Sequence, residues 1–355
     1  MRVECPKCLR ISSISGDYVV THKRALEYSC PNCKAGIQIR LSLPELSEKN
    51  FDDLASAGAG QTRLISAVAA PEEGSKMLSL KSKILRSLVE LPPMPNIILK
   101  ARQIMEDPAS SLKDLSAVIE HDQAIVARVL ALANSAYYGL SGMVSSIQHA
   151  SILLGQKTLG ELITIAASSR LLSKKLKGYR LSPGDLWKHS LAVALGSKII
   201  AEKKNTLLVE DAFIAGLLHD AGKIILDPYV VEHNKVFKKH VNGGQQKNFE
   251  AEKEILGFDH AEVMSRAARF WRYPKNQTLA IRYHHYPFLS GNCELAFIVH
   301  LADFAAQEAG FNSEHTASSE IDPKVLSRFG FRQAELNGII KQINASVEQL
   351  ATELQ

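Results

Sequence analysis

No apolar run in this chain reaches the roughly 20 residues that span a bilayer, which argues against a transmembrane helix. The opening, MRVECPKC, carries no apolar core of the signal-peptide kind, so a cytoplasmic protein is expected. No segment recurs at a fixed period, which argues against a solenoid or a propeller. Charge of one sign is not abundant. The net charge of +5 and the pI near 8.8 suit an anionic partner but are too small to argue for nucleic acid on their own. Cysteine is scarce too, with five in 355 residues, four of them in two tight pairs, so in a reducing compartment metal is expected before disulfide. What is present is ordinary: 46% apolar and 22% charged residues, enough chain for about two domains and a sizeable core.

Three textures divide the chain. Residues 1–43 hold paired cysteines and β-favouring runs such as DYVVT and AGIQIRLSL. Residues 44–78, with PELSEKN, ASAGAGQ and AAPEEGS, read as a linker with room for one short helix near Arg63 to Ala69. From residue 79 onward apolar residues recur at three- and four-residue spacing, as in LKDLSAVI and IVARVLALA, and predict helices nearly throughout. The fold class expected is mainly α, with a small β segment in front. The last helix, from about Gln333 to Leu354, is amphipathic and suits either the outside of the bundle or a partner.

Four of the cysteines form two tight pairs. CPKC gives Cys5 and Cys8, and CPNC gives Cys30 and Cys33, twenty-one residues further on. Each Cys-x-x-Cys turn sets two thiolates at the spacing of one tetrahedral ion, and two turns complete four ligands. A closed shell of this kind has no place for substrate, so the expected ion is structural zinc. It would supply folding energy that so short a segment cannot draw from a core. Redox pairs or buried thiols are the alternatives. The segment resembles the zinc ribbons of bacterial regulatory proteins, a resemblance that implies a protein or nucleic-acid partner. Cys293 stands alone and reads as a small apolar residue.

The remaining chemistry lies in histidines and aspartates. In DAFIAGLLHDAGK an apolar helix runs into His219 and Asp220, with Gly222 as a stop and Lys223 beyond it. Upstream, Asp185 and His189 share one helix face at i and i+4. Downstream, Asp259 reads as an N-cap, which puts His260 in the first turn of the following helix. His284 and His285 end another helix ahead of Pro287, and Asp303 lies on the apolar stripe of ELAFIVHLADFAA. A carboxylate on such a stripe is costly unless it is paired or bound to a metal. Five helices thus offer imidazole or carboxylate donors, a mixed set that suits zinc, iron, manganese or nickel.

The order His189, His219-Asp220 within HDAGK, His260, His284-His285 and Asp303 resembles the HD superfamily of metal-dependent phosphohydrolases. The resemblance implies a centre of two or three metals, with Asp220 bridging them, Asp185 able to join the shell and Lys223 close to a phosphate. The branch that cleaves cyclic di-GMP carries a glycine-tyrosine-proline signature after the double histidine. Here HHYPFLSGNCELAF stands instead, so that activity is not assigned.

A second resemblance covers residues 79–310. LPPMP at 91–95, DP at 107–108, LALANSAYYG at 130–139 and the run from Ile147 to Gly155, followed by LWKHSLAVA, AGLLHDAGK, LGFDHAEV and YHHYP, are similar to the HDOD domain of bacterial signalling proteins. It implies a helical HD-like bundle, with residues 311–355 as a helical extension. In this frame His121 and Asp122 form no second site; Asp122 is a cap for QAIVARVL. Asn134 and Ser135 are expected to satisfy a helix end, with Tyr137 and Tyr138 packing inward.

The function expected from this family is a regulatory interaction module, non-catalytic or weakly catalytic, that works with other signalling proteins. The chain shows no receiver, kinase or diguanylate cyclase signature. One rival is a metal phosphohydrolase acting on a nucleotide or another phosphoester, with Asp220 and Lys223 as its catalytic residues. Another is a regulator that binds nucleic acid through the ribbon.

Overall fold

The structure is a computed structural model. It describes residues 2–4, 11–13, 25–29, 36–40, 80–88, 96–107, 109–119, 122–140, 142–241, 247–313 and 321–352. Two compact units emerge, Met1–Ala69 and Ala70–Gln355. In the first, β1 (Arg2–Glu4) pairs antiparallel with β2 (Ile11–Ser13), and β3 (Ala25–Ser29) with β4 (Gly36–Arg40). The pairing registers are Val3 with Ser12 and Glu27 with Gln38. Each Cys-x-x-Cys lies in the chain between two paired strands. Cys5, Cys8, Cys30 and Cys33 themselves fall outside the described residues, as do His121, the DYVVT run and the stretch around Arg63 to Ala69.

The second unit is helical. Its first part comprises α1 (80–88), α2 (Asn96–Glu106), α3 (Leu112–Ala117), α4 (Gln123–Ala133) and α5 (Ile147–Leu172), and α2, α3 and α4 all pack on α5. Local chemistry sets the starts. Ser111 and Asp114 form a reciprocal capping box, Asp122 accepts from Ile125 N at 3.1 Å, and Ser146 caps α5. Asn134 closes the end of α4: its amide donates to Leu130 O at 2.8 Å and Val144 O at 2.9 Å, and its oxygen accepts from Val144 N at 2.7 Å. Ser135 does not share that task, since its buried hydroxyl has no hydrogen-bond partner among the described residues. Tyr137 and Tyr138 meet edge to face, ring centroids 4.8 Å apart, and pack partly buried against the core.

The second part is built around α6 (Asp185–Lys204), buried along most of its length against α7 (Val209–Leu218), α13 (Glu294–Glu308) and α15 (Gln333–Ala351). Between them run α8 (Gly222–Glu232), α9 (Asn234–Val241), α10 (Asn248–Leu256), α11 (His260–Phe270) and α12 (Lys275–Tyr283), with α14 (Pro323–Phe329) before the last helix. Gly216 lets α7 approach α6 closely, since a Cβ there would lie 2.8 Å from Ser197 Oγ and from Val193 O. The C-terminal helix packs on α6 and α13 through Leu336, Ile339, Ile343, Val347 and Leu350, all buried. Each such side chain contributes about 1.5–3 kcal/mol of apolar burial.

Gly222 does not end a helix as its sequence context suggests. The helix stops at Leu218, residues 219–221 make a turn, and Gly222 opens α8. Packing is what requires glycine there, since any side chain at 222 would run into the His260 carbonyl. Among the described residues no helix is long and apolar enough to cross a membrane.

Candidate metal centre

Two groups of donors form where α6, α7, α11, α12 and α13 meet. One joins Asp220, His260, His284 and His285; the other joins His189, His219 and Asp303, and within each group the donor atoms lie within 4.8 Å of one another. Asp220 lies between the two. Its Oδ1 is 3.0 Å from His260 Nε2, 3.8 Å from His284 Nε2 and 3.6 Å from His219 Nε2, while its Oδ2 is 3.4 Å from His189 Nε2. Asp303 Oδ1 lies 3.4 Å from His189 Nε2 and accepts from Gln307 Nε2 at 3.0 Å.

The imidazoles are held in one sense. Nδ1 donates to a carbonyl in three of them: His189 to Phe311 O at 2.8 Å, His219 to Gly216 O at 2.7 Å and His284 to Ile281 O at 2.8 Å. In the fourth, His260 Nδ1 donates to Glu252 Oε2 at 2.8 Å. A carbonyl or a carboxylate can only accept, so Nδ1 carries a proton in all four rings, and each Nε2 edge turns inward, bare in the neutral ring and protonated in the cation. His189 Nε2 then faces His219 Nε2 at 3.2 Å, and His260 Nε2 faces His285 Nε2 at 2.9 Å. Where both rings are neutral, as the Nδ1 bonds of His189 and His219 allow, two lone pairs at such a distance repel unless a proton or a metal ion lies with them. His284 Nε2 is buried and has no hydrogen-bond partner among the described residues. An orphaned imidazole nitrogen beside two such facing pairs and two carboxylates is the environment a divalent transition metal fits.

Protonation follows the same logic. Burial pushes His260 down, but Glu252 and Asp220 outweigh it and raise it to about 10. Burial is likewise overcome at His189 by Asp220 and Asp303, which raise it. Their facing partners go the other way: burial lowers His219, and burial with His284 beside it holds His285 well below the usual range. Within each facing pair the two rings are thus driven in opposite directions. Burial pushes Asp220 up, yet Lys223, His219 and His260 hold its carboxyl well below the ordinary carboxylate range.

Lys223 is 1% exposed and donates to Asp220 Oδ2 at 2.6 Å and to Ser313 Oγ at 3.0 Å. Ser313 in turn donates to Asp220 Oδ2 at 2.8 Å. The chain after α13 therefore reaches the centre twice, through the Phe311 carbonyl on His189 and through the Ser313 hydroxyl on Asp220. His219, His260 and His284 are wholly buried, Asp220 is 2% exposed, and His285 is half-buried, stacked on Phe249.

Asp185 is not brought into either group. It is half-exposed at the first turn of α6, and its carboxylate accepts from Ser182 N at 2.6 Å. The carboxylate is thus engaged three positions back along the chain, in the turn that leads into α6, and not with His189. Cys293 is half-buried at the start of α13. Glu252, Phe311 and Ser313 carry no sequence signal as part of this site.

A helical bundle closed on paired histidine–aspartate groups defines the class. The chain belongs to the HDOD domain family, which matches residues 91–287. An HDOD domain protein of unknown function from Geobacter sulfurreducens is 27% identical and superposes with a TM-score of 0.65 over 78% of this chain and 98% of its own. Two others are alike in fold alone. A provisionally named signal transduction protein of Marinobacter aquaeolei VT8 is 23% identical, with a TM-score of 0.63 over 79% of this chain and 66% of that one. A provisionally named phosphohydrolase of Shewanella amazonensis SB2B is 24% identical, with a TM-score of 0.61 over 77% and 98%. An uncharacterized protein of Treponema pallidum (strain Nichols) is 24% identical over 232 residues, 63% of this chain; the chain spans 44% of that protein's length.

Proposed function

We propose that this chain is a cytoplasmic signal-transduction protein whose HDOD bundle holds a closed metal centre and works as an interaction module for other signalling proteins. The observation that carries the reading is burial of a fully prepared donor set: the Nε2 edges converge, yet Asp220 is 2% exposed and is bonded to Lys223 and Ser313. The group Asp220, His260, His284 and His285 would hold one ion, and His189, His219 and Asp303 another, with Asp220 between them. Zinc, iron, manganese and nickel all accept such ligands. When bound, such an ion supplies Lewis acidity and a positive charge for the buried carboxylates. The chain's own residues fix the tautomers, keep water out and brace the helices around that charge. For residues 1–43, the cysteine set Cys5, Cys8, Cys30 and Cys33 favours a structural zinc ribbon.

Elemental analysis of the purified full chain tests this. We expect zinc at the cysteines and further ions that disappear in Asp220→Ala, with no turnover of bis(p-nitrophenyl) phosphate above background. Unchanged metal content in Asp220→Ala overturns the site.

A second reading, a metal phosphohydrolase acting on a nucleotide or other phosphoester, is favoured by Lys223, a cation held 2.6 Å from Asp220. In it Lys223 would offset charge on phosphoryl oxygens, once residues 311–313 had withdrawn. Metal-dependent turnover that Asp220→Ala abolishes would select it. A nucleic-acid partner at the ribbon would show itself as binding that weakens steeply with added salt and is lost without residues 1–43.

A further inference from the structure

Glu252 sits on α10, eight positions before His260, and is wholly buried. Its carboxylate grips one residue at two points. Oε2 accepts from the His260 backbone N–H at 2.6 Å and from His260 Nδ1 at 2.8 Å, with Oε1 3.0 Å from the same ring nitrogen. The backbone bond satisfies a donor at the start of α11, where a negative charge is also favoured by the helix dipole. The ring bond is not needed for that purpose. It fixes the rotation of the imidazole and the position of its proton.

A second layer lies behind the carboxylate. Tyr179, 3% exposed, donates its hydroxyl to Glu252 Oε1 at 2.8 Å. The tyrosine ring meets Phe237 edge to face at 6.1 Å. Its loop is tied to α8, the helix that carries Lys223, by Gly178 N donating to Asp227 Oδ1 at 2.7 Å. A side chain at 178 would strike Val230, so the loop lies flat against α8. The chain Asp227–Gly178–Tyr179–Glu252–His260 therefore runs from two supporting elements into one imidazole.

We infer that Glu252, braced by Tyr179, is the positioning residue that presents His260 Nε2 to an ion in the Asp220, His260, His284 and His285 group. This rests on the metal-centre reading above and deepens it. A carboxylate that receives Nδ1–H both selects the tautomer and makes Nε2 a stronger donor. Among the described residues Glu252 makes no hydrogen bond to another member of the group, so it acts through His260.

Mn2+ titration of the metal-free full chain, followed by electron paramagnetic resonance, tests the assignment, because four thiolates at the ribbon compete poorly for manganese. We expect Glu252→Gln to weaken Mn2+ binding by about 10- to 100-fold, the usual cost of losing such a partner. Tyr179→Phe should produce a smaller loss in the same direction. A residue that merely braced the fold would lower the melting temperature of the metal-free protein and leave Mn2+ affinity unchanged; that result overturns the role. Should Glu252→Gln fail to fold, nitrogen-15 histidine spectra of the zinc-loaded wild-type chain decide instead. A His260 signal, assigned by its absence in His260→Gln, should carry its proton on Nδ1, and a proton on Nε2 overturns the inference. Wild-type chain that takes up no Mn2+ overturns the metal-centre reading itself, a result distinct from an unaltered affinity in the variant.

Discussion

His284 shows what is unusual at the scale of single residues. Buried imidazoles normally use both nitrogens, and this one leaves Nε2 without a partner while His189 faces His219 and His260 faces His285. The same crowding sets a pH dependence for the metal-stripped protein. His260 is raised from 6.5 to about 10 in the folded chain, so the folded state binds the proton more tightly than the unfolded one. Its contribution is full below pH 6.5 and is lost as pH rises through 10. Urea unfolding in EDTA at a series of pH values should show stability falling across that window. In His260→Gln the fall should shrink. Metal binding must expel the second proton from His260, so Mn2+ affinity should climb with pH over the same range.

Helix by helix, close approaches made possible by missing side chains bring the donors together. Gly222→Ala would force α8 away from the His260 carbonyl. We expect a loss of about 1–3 kcal/mol in urea unfolding, the range for overpacked sites, together with weaker metal binding. Ile343→Ala removes the side chain that lies against Gly196 of α6, where a Cβ would stand 2.8 Å from Ile343 Cδ1. A cavity there should cost about 2–5 kcal/mol by the same measurement while leaving the donors in place, and so should spare the metal count. Much at this scale is legible in the sequence. Helical periodicity, the Asp122 and Asp259 caps and the inward stripe of α13 all follow from local rules. Asp185 is the counter-example. Its i, i+4 relation to His189 points to a shared ligand set, but the turn before α6 takes up its carboxylate through Ser182 N, a contact equally local. Glu252, in AEKEIL, looks like any solvated glutamate, because its partners stand eight and seventy-three positions away.

For the molecule as a whole, the cysteine segment and the bundle should hold metal separately. Cys5→Ser with Cys30→Ser should remove one zinc per chain and leave the bundle's ions untouched, as elemental analysis would show. Equal loss from both would mean that the two sites depend on each other. The bundle also closes over its own centre. In Ser313→Gly the Asp220–Lys223 pair would lose its cover, and we expect faster exchange of bound metal into a chelator with little change in melting temperature.

Residue order alone accounts for the helical class, for the HDOD relationship and for which side chains are able to bind metal, because periodicity, caps and donor types are written locally. It leaves open which donors share an ion, which nitrogen each imidazole offers, and whether the centre is covered. Those outcomes depend on contacts between segments distant in the chain: Phe311 on His189, Ser313 on Asp220, Tyr179 behind Glu252. No local rule reaches that far, so they came into being only when the helices packed.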